Sequence, residues 1–123
     1  IQTGIHITGF VEDEHVSHIY KNAMCFVFPS KYEGFGLPPL EALALGTPVI
    51  ASNAASIPEV LMEQAVYFDC DNAEELRKLL VNLEDNLDKM PRGLNTYQKR
   101  NYQFEVSAKK VLDFISDESI NSK

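Results

Sequence analysis

The chain has no tryptophan and only two cysteines among its 123 residues. It also lacks the run of about eighteen apolar residues that a membrane-spanning helix requires, and no stretch has the make-up of an export signal. Positive charge is in deficit: eleven Lys and Arg stand against eighteen Asp and Glu, for a net charge of −7. The basic residues form no cluster, which excludes a nucleic-acid surface and adhesion to an anionic membrane as the main role. Cys25 and Cys70 sit in apolar, strand-like contexts, which suits small buried thiols in a reducing compartment better than a disulfide.

What remains is ordinary globular material. A hydrophobic content of 45% is enough for the core of a single unit, and residues 1–123 read as one domain with no internal repeat. Alternation of Ile5 and Ile7 with His6 and Thr8 predicts a strand over 4–9, and a helical stripe of Val16, Ile19, Tyr20 and Ala23 follows over 13–22. Further strands are expected over 24–28, 48–51 and 66–68. Between them a helix is stopped by Gly46, and a short one is capped by Ser56 and opened by Pro58. Asp71 or Asn72 caps the longest predicted helix, 73–86, whose Leu76, Leu79, Leu80 and Leu83 form a core-facing stripe and whose Glu74 and Lys78 pair. Two more helices are expected over 94–101 and 105–115. Strands alternating with helices imply an α/β fold: a partial Rossmann-like parallel sheet of about four strands flanked by helices.

The chemistry concentrates in residues 28–52, F-P-S-K-Y-E-G-F-G-L-P-P-L-E-A-L-A-L-G-T-P-V-I-A-S. An apolar strand closed by Pro29 runs into a loop whose Gly34 and Gly36 leave backbone N–H groups uncovered. Pro38 and Pro39 then open a helix. A loop before a helix N-terminus offers free donors and the positive end of the helix dipole, which suits phosphate. Glu33 and Glu41 bracket that loop with seven residues between them. Carboxylates accept from hydroxyls while bare amides donate to oxyanions, so the pattern suits a phosphorylated polyol. The carboxyl ends of parallel strands are where such ligands bind.

With Ser56, Ile57, Pro58 and Glu59 downstream and Thr8-Gly9-Phe10-Val11 upstream, this stretch resembles the signature of the retaining, GT-B-fold glycosyltransferases of the glycosyltransferase 4 family, including its E-x7-E motif. The resemblance covers residues 5–82. It implies a C-terminal donor-binding Rossmann domain that lacks its first two strands here, with the N-terminal acceptor domain also outside this sequence. It further implies transfer of a hexose from a nucleoside diphosphate sugar, GDP-mannose or a UDP-hexose, to a saccharide or lipid-linked acceptor in bacterial polysaccharide or lipopolysaccharide synthesis. No metal or other cofactor is expected.

In such enzymes the residue matching Glu33 holds hydroxyls of the donor sugar and is the catalytic assignment, and Glu41 holds the ribose. The amides of Gly34, Phe35, Gly36 and Leu37 would line the sugar and diphosphate, Ser30 and Lys31 would flank the phosphates, and Val11 would meet the base through its backbone. The basic residues of that scheme lie on the two missing strands, so the chain alone is expected to be inactive. An unpaired sheet edge offers a place for self-association. A cytoplasmic location is expected, with membrane contact at the inner face only through parts not included here.

Each reading has a plainer rival. Glu33 and Glu41 on their own would be solvated charges, Lys31 an ordinary loop lysine, Ser30 a turn former, and residues 9–11 a simple strand-to-helix turn. His15 and His18 with Glu14 fit a solvated helix face better than a metal site, and His6 reads as structural. The chain departs from the family where Phe104-Glu105-Val106 replaces the usual phenylalanine, serine, tryptophan run. A non-catalytic nucleotide-sugar-binding module and a sugar-nucleotide epimerase remain the alternatives, and the P-P-L-E helix opening favours the transferase over the epimerase.

Overall fold

The computed structural model describes residues 4–31 and 37–101. Their helices and strands run α1 (Asp13–Asn22), β1 (Phe26–Phe28), α2 (Leu37–Ala44), β2 (Val49–Ser52), α3 (Ile57–Leu61), β3 (Ala65–Phe68), α4 (Ala73–Val81), α5 (Leu83–Asn86) and α6 (Thr96–Asn101). The strands form one parallel sheet in the order β1-β2-β3, with Phe26 opposite Val49 and Val49 opposite Ala65. All four residues of β2 are buried, as expected of a central parallel strand covered on both faces.

Alternation along β2 divides the two faces. Val49 and Ala51 join Leu40 and Leu43 of α2 and Ile57, Val60 and Leu61 of α3 in the main core. Ile50 points the other way and, with Val66, meets Leu79, Leu83 and Met90 around a cavity of about 320 Å³. Helices α2 and α3 therefore cover one face and α4 the other, the layering of a partial Rossmann-like sheet. Helix α1 reaches the first layer through Tyr20, whose ring meets Phe26 edge-on at 4.8 Å, while Thr47 Oγ1 donates to the Tyr20 carbonyl at 2.5 Å.

Helix α2 stops where the sequence says it should. Gly46 takes φ +85°, in the left-handed region that favours glycine, while its N–H bonds Leu43 O at 2.9 Å and Thr47 N bonds Ala42 O at 2.9 Å. Asn72 caps α4, its side-chain oxygen accepting from Glu75 N at 3.2 Å.

The structure departs from expectation in several places, each with a cause. Residues 4–9 form no strand, so the described sheet has three strands rather than four. The described residues bring no ladder partner beside them, and an unpartnered strand has nowhere to place its backbone hydrogen bonds. Ile7 is 95% and Phe10 91% exposed, and His6 is exposed with them rather than structural. The helix expected over 73–86 breaks at Asn82, whose side-chain amide donates to Lys78 O at 2.9 Å and competes with the helical ladder. Glu74 pairs with Arg77, at 2.5 Å, instead of Lys78. Ser56 holds the N-cap position of α3 without a capping hydrogen bond from its side chain. The leucine stripe is only half-buried, with Leu80 43% exposed. The helix expected over 105–115 lies outside the described residues.

The buried polar side chains Ser17, Thr47, Ser52 and Gln98 carry no mark in the sequence pattern. Gln98 of α6 is fully buried; its Nε2 donates to Val60 O and Leu61 O, both at 2.9 Å, and its Oε1 accepts from Asn95 N at 3.0 Å. It thereby satisfies the carbonyls where α3 ends and pins α6 to the core. Gln98→Ala strands those groups without partners and should cost about 2–4 kcal/mol in urea unfolding. A loss below about 0.5 kcal/mol, the range of ordinary surface substitutions, would show that the amide does not carry this contact.

Candidate functional site

Three parallel strands ending side by side create one edge where loops converge. Ser30 and Lys31 follow β1, Ser52 ends β2, and residues 69–71 follow β3. The edge is cross-linked. Ser52, fully buried, donates its hydroxyl to the Ser30 carbonyl, Asn53 N donates to Phe68 O at 3.0 Å, and Lys31 Nζ donates to Asp71 Oδ1 at 2.8 Å. Polar bonds rather than apolar packing thus set where the loop after β1 departs. Ser52 closes the 28–52 stretch in the sequence, but nothing in its spacing marks the hydroxyl as a brace.

Of the residues singled out from the sequence, Val11, Ser30, Lys31, Leu37 and Glu41 are described. Glu33, Gly34, Phe35 and Gly36 lie outside the described residues. Leu37 opens α2 and Glu41 lies one turn inside it. Val11 is half-buried just ahead of α1, next to Glu12, whose extended backbone leads into that helix. Lys31 does not stand as a lone loop charge, since Asp71 holds it.

Glu41 is where the electrostatics depart most from a plain surface residue. Although the residue is exposed as a whole, burial of its carboxyl raises the pKa above the ordinary 4.5, and the negative charge of Asp13 raises it further. The Tyr20 hydroxyl is raised too, by burial first and then by Glu41. Asp13 and Tyr20 lie seven residues apart, two turns, on one face of α1. Glu41 therefore looks toward α1 with no cation among these influences. An ionised carboxylate only accepts hydrogen bonds, and the hydroxyls of a ligand are donors of the matching kind.

Elsewhere the ligand chemistry is thinner. Cys25 and Cys70 are half-buried free thiols, and burial pushes the Cys25 thiol up, away from a reactive thiolate. Among the described residues the one group of possible metal ligands is Asp69, Cys70 and Asp71, with ligand atoms within 4.8 Å of one another. Its carboxylates are already engaged: Asp69 Oδ1 accepts from Asp71 N at 2.9 Å, and Asp71 Oδ1 accepts from Lys31. His15 and His18 join no such group. No helix among the described residues is long and apolar enough to cross a membrane.

A parallel α/β layer with polar loops gathered at its carboxyl edge and a carboxylate on the first helix after the edge loop defines a class of ligand-binding sheet. The comparisons narrow it. The family model for glycosyl transferases group 1 matches residues 1–101, and the chain belongs to that family. It is 41% identical over 83 residues to the O-antigen chain mannosyltransferase B of Escherichia coli, covering 67% of this chain and 22% of that protein. It is 34% identical over 115 residues to the O-antigen chain mannosyltransferase RfbU of Salmonella typhimurium, covering 94% of this chain and 31% of that protein. A third relative, the MMP alpha-(1->4)-mannosyltransferase of Mycolicibacterium hassiacum, is 42% identical over 57 residues, 46% of this chain and 14% of that protein. The chain therefore spans less than a third of the length of these relatives.

The raised Glu41 pKa has a pH consequence. The folded state holds the proton more tightly than the unfolded chain, so folding loses stability as pH rises from the unfolded value through the folded one. Glu41→Gln should stabilise the fold at pH 7 and leave it unchanged at about pH 3.5, where both states are protonated. Because the side chain is exposed and screened, the gain stays below about 1 kcal/mol. Thermal unfolding at the two pH values checks this, and equal shifts at both would refute the electrostatic cause.

Proposed function

We propose that this chain is part of the donor-binding domain of a retaining glycosyltransferase that moves a hexose from a nucleoside diphosphate sugar to a hydroxyl acceptor. Mannose is the favoured sugar, because the named relatives are mannosyltransferases, two of them of O-antigen chains. GDP-mannose is then the first donor to test and UDP-hexoses the second. A saccharide or lipid-linked acceptor in bacterial polysaccharide synthesis fits the same relatives.

The observation that carries this reading is the position of Glu41. It sits one turn inside α2, on the helix that follows the loop at the sheet's carboxyl edge, where burial and the charge of Asp13 both act against its negative charge. In the proposed complex Glu41 accepts from the ribose hydroxyls, and Glu33, eight residues earlier in the sequence, accepts from the hexose. The amides of residues 34–37 and the side chains of Ser30 and Lys31 face the diphosphate, and the backbone at Val11 meets the base.

As the bond from the hexose to the diphosphate breaks, negative charge builds on the leaving oxygen. Donors already aimed at that position stabilise it at no cost in reorganisation. In this reading no metal ion is needed, because the charge is met by amides, Lys31 and basic residues in other parts of the polypeptide. With a net charge of −7 on this chain, the proposal assigns the remaining positive charge to those further residues.

Two substitutions in the full-length polypeptide test the assignment. Glu41→Gln should weaken binding of GDP or UDP, whichever the protein takes, by about 1.5–3 kcal/mol, the usual worth of a charge-assisted hydrogen bond. Calorimetry showing equal affinity would remove the ribose role. With Glu33→Ala, sugar transfer should fall by about 100-fold or more while affinity for the free nucleotide is nearly kept, as for a group that acts mainly in the transition state. Unchanged turnover would remove Glu33 from the mechanism.

A further inference from the structure

Lys31 and Asp71 are forty residues apart in sequence, yet Nζ donates to Oδ1 at 2.8 Å. Lys31 follows the edge strand β1 and Asp71 follows β3, with β2 between them. Their contact therefore reaches across the end of the central strand, a span of about two strand spacings, or about 9.5 Å. That is the strip of the carboxyl edge over which the proposed diphosphate would lie.

The two ends of the contact are built differently. Asp71 sits on a well-braced turn: its N–H donates to Asp69 Oδ1, Asn72 N donates to Asp69 O, and Asp69 N donates to Glu75 Oε2, at 2.9, 2.9 and 3.1 Å. Lys31 has a fixed backbone, since Ser52 holds the carbonyl of Ser30 before it, but its ammonium rides on a flexible stem. The pair is open to water, with side-chain exposures of 50% for Lys31 and 74% for Asp71. Such contacts are among the weakest ion pairs in proteins, so giving up Asp71 costs the ammonium little.

We propose that Lys31 serves two anions in turn: the Asp71 carboxylate before a donor arrives, and the diphosphate of a nucleoside diphosphate once one is bound. Asp71 is then a positioning residue that keeps the lysine extended across the edge and competes with the donor for it. The diphosphate of a nucleotide sugar bears one negative charge on each phosphoryl group against the single charge of Asp71, so it outbids the carboxylate once seated. This rests on the donor-site reading given above. It assigns a second partner to Lys31 and a role to Asp71, a residue that the sequence suggests only as a helix cap.

The test is a titration of the full-length polypeptide with GDP and UDP, and with the uncharged nucleosides guanosine and uridine. Asp71→Asn removes the competing charge and keeps the backbone N–H that braces the turn. It should tighten diphosphate binding by about two- to fivefold, the range open to a weak exposed pair, and leave nucleoside binding unchanged. Asp71→Ser should do the same, which guards against a defect peculiar to one substitution. Lys31→Met should weaken diphosphate binding by a similar or larger factor, and in that background Asp71→Asn should lose most of its benefit. Weaker or unchanged diphosphate binding by both Asp71 variants, with normal binding by the unsubstituted protein, overturns the proposal alone. If the unsubstituted protein binds no nucleoside diphosphate, the donor-site reading falls and takes this proposal with it.

Discussion

Burial of β2 is the constraint on which the rest depends. Its four residues are covered on both faces and paired on both sides, so Val49 and Ala51 must meet α2 and α3 while Ile50 meets α4. A parallel sheet with this filling has every strand ending at the same edge. The loops carrying Ser30, Ser52 and Asp71 are brought together there by backbone pairing, although they are far apart in sequence. Ser52 is the last residue of the buried strand, and its buried hydroxyl is satisfied by the Ser30 carbonyl.

The charge distribution follows a different logic from the packing. A chain of net charge −7 would not be chosen to hold phosphate, and the local arrangement sharpens the conflict. Glu41 is sheltered near Asp13 and Tyr20, and Lys31 is already engaged by Asp71. Burial and Asp13 act against the Glu41 charge, and the Lys31–Asp71 pair is open to water. In the donor complex proposed for this member of the group 1 glycosyltransferase family, both features serve a single ligand, a polyol joined to a diphosphate.

Most of the element pattern was legible because short-range signals agreed. Proline opened α2, Gly46 closed it, Asn72 capped α4, and helical spacing delimited α1 at its observed bounds. Errors came where a residue's fate depends on distant chain. The alternating run at 4–9 has strand composition but no strand beside it among the described residues, and Asn82 breaks a helix that the leucine spacing continues. Gln98 looked like any helix glutamine until the end of α3 was placed against it.

The amino-acid sequence by itself determined the α/β class, the spacing of Glu33 and Glu41 about a glycine loop, and the family, since all three rest on local order along the chain. Only the tertiary structure decided that Glu41 faces Asp13 and Tyr20, that Ser52 braces Ser30, and that Lys31 crosses the sheet edge to Asp71. Those contacts join residues up to forty positions apart, and they exist because three parallel strands are packed into one layer. Side-chain spacing repeats every two residues in a strand and every 3.6 in a helix, so it says which face a residue occupies. It does not say what will stand opposite.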